Sequence, residues 1–157
     1  MASLTVLSSM IGPLPEALPV LAELGIRRLD LKDKIFDLRI EDLNDPDRER
    51  LAALLESHQA AAYSFSSGVG FDDLARVEEA TYRKYFVGKV HDMVRTAEHT
   101  RPSMIRLLPP RIDALHADTA SAIDFVVERF PWLFAAFREA IDIAAAAGIP
   151  VTIENAV

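Results

Sequence analysis

The residues best suited to chemistry lie near the end of the chain, where an acid follows a short apolar run. Residues 150–156 read Pro-Val-Thr-Ile-Glu-Asn-Ala, which is typical of a buried strand that closes on the carboxylate of Glu154. Parallel α/β barrels place catalytic and metal-binding groups at the carboxyl ends of their strands. The sequence therefore predicts that Glu154 is a functional acid.

Three further charged residues alternate with apolar residues in strand-like runs. Asp30 and Lys32 share one face of a run, and Arg106 has apolar neighbours in another. The apolar faces should meet outer helices, so we expect these charges and Glu154 to face the interior of a barrel. Unpaired buried charges are costly, so the set must pair, bind a metal or line a wet cavity. A structural salt bridge, for example Asp30 with Arg106, and a substrate site both fit this pattern.

Short strand-like runs and helical segments alternate along the chain to position these residues. Strands are predicted at 4–8, 28–32, 61–66, 104–108 and in the terminal run. Helices are predicted at 16–24, from a cap at Asp45, from Asp72 to His99, and on both sides of Pro131, the last ending at Gly148. This βαβαβαβαβ order indicates a parallel sheet with right-handed crossovers.

Two architectures compete for this order, an open doubly wound sheet and a (β/α)8 barrel. No Gly-x-Gly-x-x-Gly motif follows the first strand, which disfavours the dinucleotide-binding version of the open sheet. A barrel typically needs ~250 residues, and this chain has 157. We therefore predict an α/β fold, a single domain over residues 1–157, with parallel (β/α) units that supply about five of the eight strands of a TIM barrel.

Composition narrows the classes of function. The net charge is −7 and no basic stripe is present, so nucleic acid is not an expected partner. The absence of cysteine excludes disulfides, thiolate metal sites and a cysteine nucleophile. No secretory signal or long apolar run is found, so we expect a cytoplasmic protein without a membrane partner.

Two motifs resemble a known family. Residues 24–31, Leu-Gly-Ile-Arg-Arg-Leu-Asp-Leu, join a helix end to a strand that closes on an acid. Residues 144–155, Ala-Ala-Ala-Ala-Gly-Ile-Pro-Val-Thr-Ile-Glu-Asn, lead into the fifth strand. Both resemble units of the xylose isomerase-like barrels, which include sugar phosphate isomerases and epimerases, with AP endonucleases as distant relatives.

The resemblance implies a metal-assisted proton transfer next to a carbonyl of a small-molecule sugar or sugar phosphate. Glu154 is then both the catalytic residue and a ligand of a divalent metal (Mn, Mg or Zn), whose other ligands come from later strands. Asp30, Lys32, Ser66 and Arg106 are the implied substrate-binding residues, and Ser66 lies near the place where the family often has a histidine. Because Mn²⁺ and Mg²⁺ take about six ligands, we expect this chain alone to lack a complete site, so that it need not bind a metal.

A non-catalytic half-barrel that associates with itself or with a second chain is the alternative, and we expect a homo-oligomer. An abasic-site nuclease is disfavoured by the acidic charge and by the lack of a histidine cluster.

Other motifs are predicted to be structural. The loop at 66–70 contains glycines that could cradle a phosphate, but Asp72 and Asp73 would repel an anion. The charge run at 41–50 is interpreted as a solvated turn and helix start. We expect the histidines to lie on helix surfaces or at helix ends: His58, His91, His99 and His116. We expect four aromatic residues to pack in the core or in an interface: Phe130, Trp132, Phe134 and Phe137.

Overall fold

Five parallel β-strands, paired in sequence order, form the centre of the fold. The computed structural model describes residues 4–112 and 119–154. Within them the strands are β1 (Thr5–Leu7), β2 (Arg28–Leu31), β3 (Ala61–Ser66), β4 (Met104–Leu107) and β5 (Val151–Ile153). Each strand pairs in parallel with the next, in the order β1-β2-β3-β4-β5. The predicted α/β class is confirmed. Two residues of the terminal run, Asn155 and Ala156, lie outside the described residues.

Helices connect the strands, as the alternation predicts. They are α1 (Leu14–Glu23), α2 (Asp45–Ser57), α3 (Glu79–Thr100), α4 (Thr119–Arg129) and α5 (Trp132–Ala146). Pro131 separates α4 from α5, because proline cannot continue a helix but suits the start of the next one. None of the helices in residues 4–112 and 119–154 has the length and apolar character that a membrane crossing requires.

Two predicted helix starts are wrong. The cap of α2 is Asn44 rather than Asp45, because the Asn44 side chain accepts a 3.0 Å hydrogen bond from the Asp47 backbone N–H. Helix α3 begins at Glu79 rather than at Asp72. Asp73 instead caps a short 3₁₀ turn by accepting a 3.1 Å hydrogen bond from the backbone N–H of Ala75.

One face of the sheet is apolar and packs against the helices. The strand registers place on this face a row of side chains that have no exposed surface: Leu29, Leu31, Phe65, Ile105 and Leu107. They join one buried cluster with side chains of α2, α3 and α5, among them Leu51, Tyr82, Phe86, Val90, Ala140 and Ala144. The predicted contact between the apolar faces of the strands and the outer helices is confirmed for β2, β3 and β4, whereas Ile153 on the same face of β5 is 50% exposed.

The aromatic residues around Pro131 divide between core and surface. The rings of Trp132 and Tyr82 lie 5.4 Å apart, and those of Phe137 and Phe86 lie 4.8 Å apart. Phe130 contacts Trp132 edge-on at 6.2 Å. Phe134 is instead 53% exposed, so it does not belong to the core.

The loop after β3 packs tightly against the end of β4 at Gly70. A β-carbon at Gly70 would lie 2.6 Å from the carbonyl oxygen of Leu108, and φ here is +93°. The buried Tyr82 hydroxyl donates a 3.2 Å hydrogen bond to the Gly70 carbonyl, and burial raises the pKa of this phenol. Only glycine fits here without strain, and this contact fixes the path of the residues that follow.

Candidate functional site

The polar side chains predicted to do chemistry share the second face of the sheet. In register, Asp30 lies opposite Ser64, Ser66 opposite Arg106, and Arg106 opposite Thr152. Glu154 lies two residues after Thr152, and side chains two residues apart along a strand point to the same face of the sheet. The structure therefore places Asp30, Ser66, Arg106 and Glu154 along one face, opposite the helix-covered core.

A β-bulge aligns Asp30 with strand β3. The partner of β2 changes from Ala62, opposite Leu29, directly to Ser64, opposite Asp30. Bulges of this kind change the direction of a side chain at the cost of one unpaired residue. The Ser66 hydroxyl, from a residue only 1% exposed, donates a 2.5 Å hydrogen bond to Asp30 Oδ2. Asp30 Oδ1 is buried and has no hydrogen-bond partner among the described residues, so it can accept one more donor.

Arg106 and Glu154 form the second contact on this face. Arg106 Nη1 makes an ion pair with Glu154 Oε2. The backbone N–H of Glu154 donates a 3.2 Å hydrogen bond to the Leu107 carbonyl, which holds the end of β5 next to β4. The Glu154 side chain is 49% exposed. Its carboxylate is therefore positioned by Arg106 yet open to solvent.

The predicted pairing of Asp30 with Arg106 is wrong, for a geometric reason. Strand β3 lies between β2 and β4, and each strand-to-strand step is about 4.8 Å. Each charge therefore meets a partner on the adjacent strand: Ser66 for Asp30, and Glu154 for Arg106.

These residues do not by themselves form a metal site. No group of three or more acidic or histidine side chains that could hold a metal ion occurs in the described ranges. Glu154 is a single carboxylate already paired with Arg106, and hard divalent cations require several more oxygen ligands. The histidines do not contribute: His58 ends α2, His91 and His99 lie in α3, and His116 falls outside the described residues.

Lys32 lies in a different place from the other predicted residues. It follows the end of β2 and lines a cleft of about 410 Å³ at the carboxyl ends of the strands. Asp30, Ser66, Arg106 and Glu154 are not among the residues that line this cleft. The predicted site residues therefore fall into two groups, one on the sheet face and one beyond the strand ends.

Glu41, in the same cleft, is a functional candidate that the sequence did not indicate. It lies in a charge run that we interpreted as solvated, yet it is 1% exposed. Burial is the largest cause that raises the pKa of its carboxyl, while Arg39 and the backbone N–H groups of Glu41 and Gly68 act in the opposite direction. A 3₁₀ turn, Ile40–Asp42, packs against α3 and places Glu41 inside the protein.

The turn that carries Glu41 is tied to α3 by one lysine. Lys89 Nζ donates hydrogen bonds to the Glu41 carbonyl at 3.2 Å and to Asp42 Oδ1 at 2.6 Å. These long-range contacts are not visible as a local pattern, so the sequence offers no signal by which the burial of Glu41 could be predicted.

Comparison with solved structures identifies proteins of the same fold. The IOLI protein with a zinc atom aligns over 96% of this chain and 51% of its own, with TM-score 0.66 and 15% identity. The 3-keto-D-glucoside 4-epimerase YcjR from E. coli aligns over 95% and 54%, with TM-score 0.64 and 12% identity. A xylose isomerase-like TIM barrel protein from Mycobacterium smegmatis in complex with magnesium aligns over 88% and 45%, with TM-score 0.59 and 19% identity.

No family model and no curated protein matches the chain. At these identities the likeness concerns the fold, and the chain spans about half the length of the solved structures that it matches. The resemblance predicted from residues 24–31 and 144–155 is confirmed at this level. The chain has the fold of part of a xylose isomerase-like TIM barrel.

Proposed function

We propose that this chain supplies part of the active site of a sugar isomerase or epimerase, which transfers a proton next to a carbonyl. The observation that carries the proposal is the solvent-accessible Glu154 carboxylate, positioned by Arg106 at the carboxyl end of β5. In parallel α/β barrels this end of the strands carries the chemistry. An epimerase acting on a 3-keto-D-glucoside is among the solved structures that share the fold, which supports the general kind of reaction.

The two side-chain pairs on the polar face, Arg106–Glu154 and Asp30–Ser66, have different proposed roles. Glu154 is the acid–base group, and Arg106 keeps its carboxylate in place through their ion pair. The unpaired Oδ1 of Asp30 accepts a hydrogen bond from a substrate hydroxyl, while the Ser66 hydroxyl donates a hydrogen bond to Oδ2 of the same carboxylate. Lys32 approaches the substrate from the neighbouring cleft. A small-molecule sugar is thus the proposed ligand, without nucleic acid or membrane, in a cytoplasmic protein.

A divalent metal remains part of the proposal only through Glu154. The described residues contain no cluster of three or more side chains that could hold a metal ion. Glu154 would therefore supply one carboxylate ligand to Mn, Mg or Zn, and other residues would complete the coordination. Two of the compared structures contain zinc or magnesium, which supports a divalent metal in proteins of this fold.

The test is activity with and without Glu154. The chain, expressed alone and together with any coding sequence found downstream of Val157, would be supplied with Mn²⁺ and assayed for ketose–aldose interconversion and for epimerisation. Because general acid–base catalysis typically contributes 10²–10⁴-fold, Glu154→Gln should lower turnover by about 100-fold or more. Asp142→Asn, which likewise converts an exposed carboxylate to an amide but on α5, is the control. Full activity of Glu154→Gln would overturn the assignment.

A second candidate is a half-barrel that assembles with another copy of itself. Exposed apolar side chains on α4, α5 and β5 favour it, namely Ile123, Phe125, Val127, Phe134, Ile141 and Ile153. Strands β1 and β5 are the ends of the strand order, and unpaired strand edges readily take a further strand. Sedimentation velocity should then show a single dimer of the 157-residue chain, which Phe134→Glu disrupts. A monomer at 100 μM would exclude this candidate.

A further inference from the structure

A glycine on the exposed side of α3 is not required by the packing of the chain itself. Gly88 lies in the middle of the helix, and its φ is not positive. Nothing lies within 4 Å of a β-carbon built at this position. Glycine inside a helix is destabilising relative to alanine, and it allows another backbone to approach closely. The described fold does not account for this glycine, whereas close contact with another molecule does.

Gly88 is the low point of a saddle on the outer surface of α3. Hollows of about 650 and 490 Å³ lie on its two sides, and Gly88 lines both. The helical period of about 3.6 residues displaces Lys84 and His91 from Gly88 toward α5, and Tyr85 and Asp92 toward the opposite side. In agreement, His91 shares the first hollow with a residue of α5, and Tyr85 and Asp92 line the second. We call these five residues the α3 saddle.

The side chains of the α3 saddle can form further contacts. Neither Lys84 nor His91 forms an ion pair with another described residue, and Tyr85 is 45% exposed. Asp92 contacts Arg48 through Oδ1 at 3.5 Å, but its side chain is 36% exposed, so Oδ2 can accept from a further donor. The saddle therefore has one basic flank, and a second flank that carries an acid and an aromatic ring.

The two flanks are complementary to each other, which indicates a second copy of the chain as the occupant. When two copies of a helix are related by a two-fold axis and run in the same direction, each flank faces the other flank of the partner. Lys84 then meets the ring of the partner's Tyr85, and His91 meets the carboxylate of the partner's Asp92. In the opposite direction like flanks would meet, and Lys84 would face the partner's His91. Charge therefore favours the arrangement in which both helices run the same way.

We propose that two copies of this chain associate through the α3 saddle, with the helices crossing at Gly88 and running in the same direction. The saddle shares no residue with the strand edges or with the exposed apolar side chains of α4 and α5. This dimer is therefore distinct from the half-barrel assembly considered above, and it does not depend on the proposed enzymatic function. A single helix crossing is a small interface, so we expect a weak dimer with a Kd of about 10–500 μM.

The first test is sedimentation equilibrium of the 157-residue chain up to a concentration of about 1 mM, which exceeds that Kd range. Gly88→Gln should weaken the dimer at least ten-fold, because it places a side chain at the crossing point. Ala53→Gln, the addition of the same side chain at an exposed position of α2, should have no effect. Thermal melting well below the Kd separates dimer loss from unfolding, since Gly88→Gln should be at least as stable as the parent.

The second test addresses the charges. His91→Glu opposes the partner's Asp92 and should weaken the dimer at least ten-fold, whereas His91→Lys keeps a basic group there and should retain it. His99→Glu makes the acidic exchange at an exposed position of α3 outside both hollows, and should leave the dimer intact. Equal effects of His91→Glu and His99→Glu would contradict the proposed contact.

The direction of the helices can be tested by cross-linking, because the chain contains no cysteine. In the same-direction pair, Thr81 lies near the partner's Thr81. In the opposite-direction pair, these two positions would be about 21 Å apart along the helices, given a rise of about 1.5 Å per residue. Thr81→Cys should therefore cross-link to its own copy through a short bismaleimide, whereas Ala53→Cys should not. A dimer in which Thr81→Cys fails to cross-link would overturn the proposed arrangement.

Other outcomes reject the α3 contact altogether. A chain that stays monomeric at the highest concentration overturns the proposal, as does a dimer that Gly88→Gln leaves intact. A dimer lost with Phe134→Glu but not with Gly88→Gln would uphold the half-barrel assembly instead. Glu154→Gln should not change dimerisation, so the loss of activity in that variant is measured independently of this contact.

Discussion

The two faces of the sheet are made by the same five strands and differ in almost every physical respect. On one face, Leu29, Phe65 and Ile105 have no exposed surface and pack against helices. On the other, Asp30 and Arg106 are held by single partners and keep buried atoms, Oδ1 and Nε, that no described residue bonds. We therefore expect one side of the backbone to determine stability and the other to carry the proposed chemistry, and substitutions can test this separation.

The largest effect is expected from the apolar face. Phe65→Ala removes a fully buried ring and should lower the free energy of unfolding by about 3–5 kcal/mol, because it leaves a cavity in the core. Thr152→Ala, at an exposed position in register with Arg106, should change it by less than about 0.5 kcal/mol. Urea unfolding followed by circular dichroism measures both. Similar losses at the two positions would mean that the faces are not separate in energy.

The next effect is expected at Gly70, where the loop after β3 packs against the core. Gly70→Ala should destabilise the protein by about 1–3 kcal/mol, since it strains a positive φ and forces a β-carbon onto the Leu108 carbonyl. Gly88→Ala is the same exchange in the middle of α3, where nothing lies within 4 Å of the new atom. It should instead stabilise by about 0.5–1 kcal/mol. Thermal melting of both variants should therefore show shifts of opposite sign.

A smaller effect, dependent on pH, is expected at Glu41. Its folded-state pKa is raised, chiefly by burial, so the folded protein favours the protonated acid more than the unfolded chain does. The stability that this provides is complete below the ordinary value of 4.5 and is lost as the pH rises through the higher folded-state pKa. Glu41→Gln should remove this loss, so the variant should gain stability relative to the parent between pH 4 and pH 8. Parallel pH profiles of the two proteins would contradict the buried position of this acid.

The smallest effect on stability is expected where the function is proposed. Glu154→Gln breaks a partly exposed ion pair with Arg106, and such pairs contribute about 0–1 kcal/mol. Its free energy of unfolding should therefore stay within about 0.5 kcal/mol of the parent while the activity falls. A loss as large as that of Phe65→Ala would assign Glu154 a structural role.

Local patterns in the sequence were sufficient for the strands, their parallel order and the division into two faces. The alternation in Arg28–Leu31 and Met104–Leu107 predicts which side chains face the helices, and Pro131 predicts the break between α4 and α5. These are properties of a few consecutive residues, so they can be predicted without knowing which distant residues each side chain contacts.

The partners themselves could not be predicted. The bulge next to Asp30, which aligns it with Ser64, depends on how β2 meets β3. Arg106 pairs with Glu154 rather than with Asp30 because strand β3 lies between Arg106 and Asp30. Glu41 looks solvated in sequence, and only the contact of its turn with α3 buries it.

The neighbour-only pairing of the strands has a consequence for how the chain folds. The first register joins Thr5 to Arg28, and later ones join residues increasingly distant in sequence, up to Ile105 with Val151. Each strand can dock as soon as it emerges, because its partner has already been synthesised, and the loop to be closed is shortest at the start. We therefore expect assembly from the amino terminus, with β5 and Glu154 joining last.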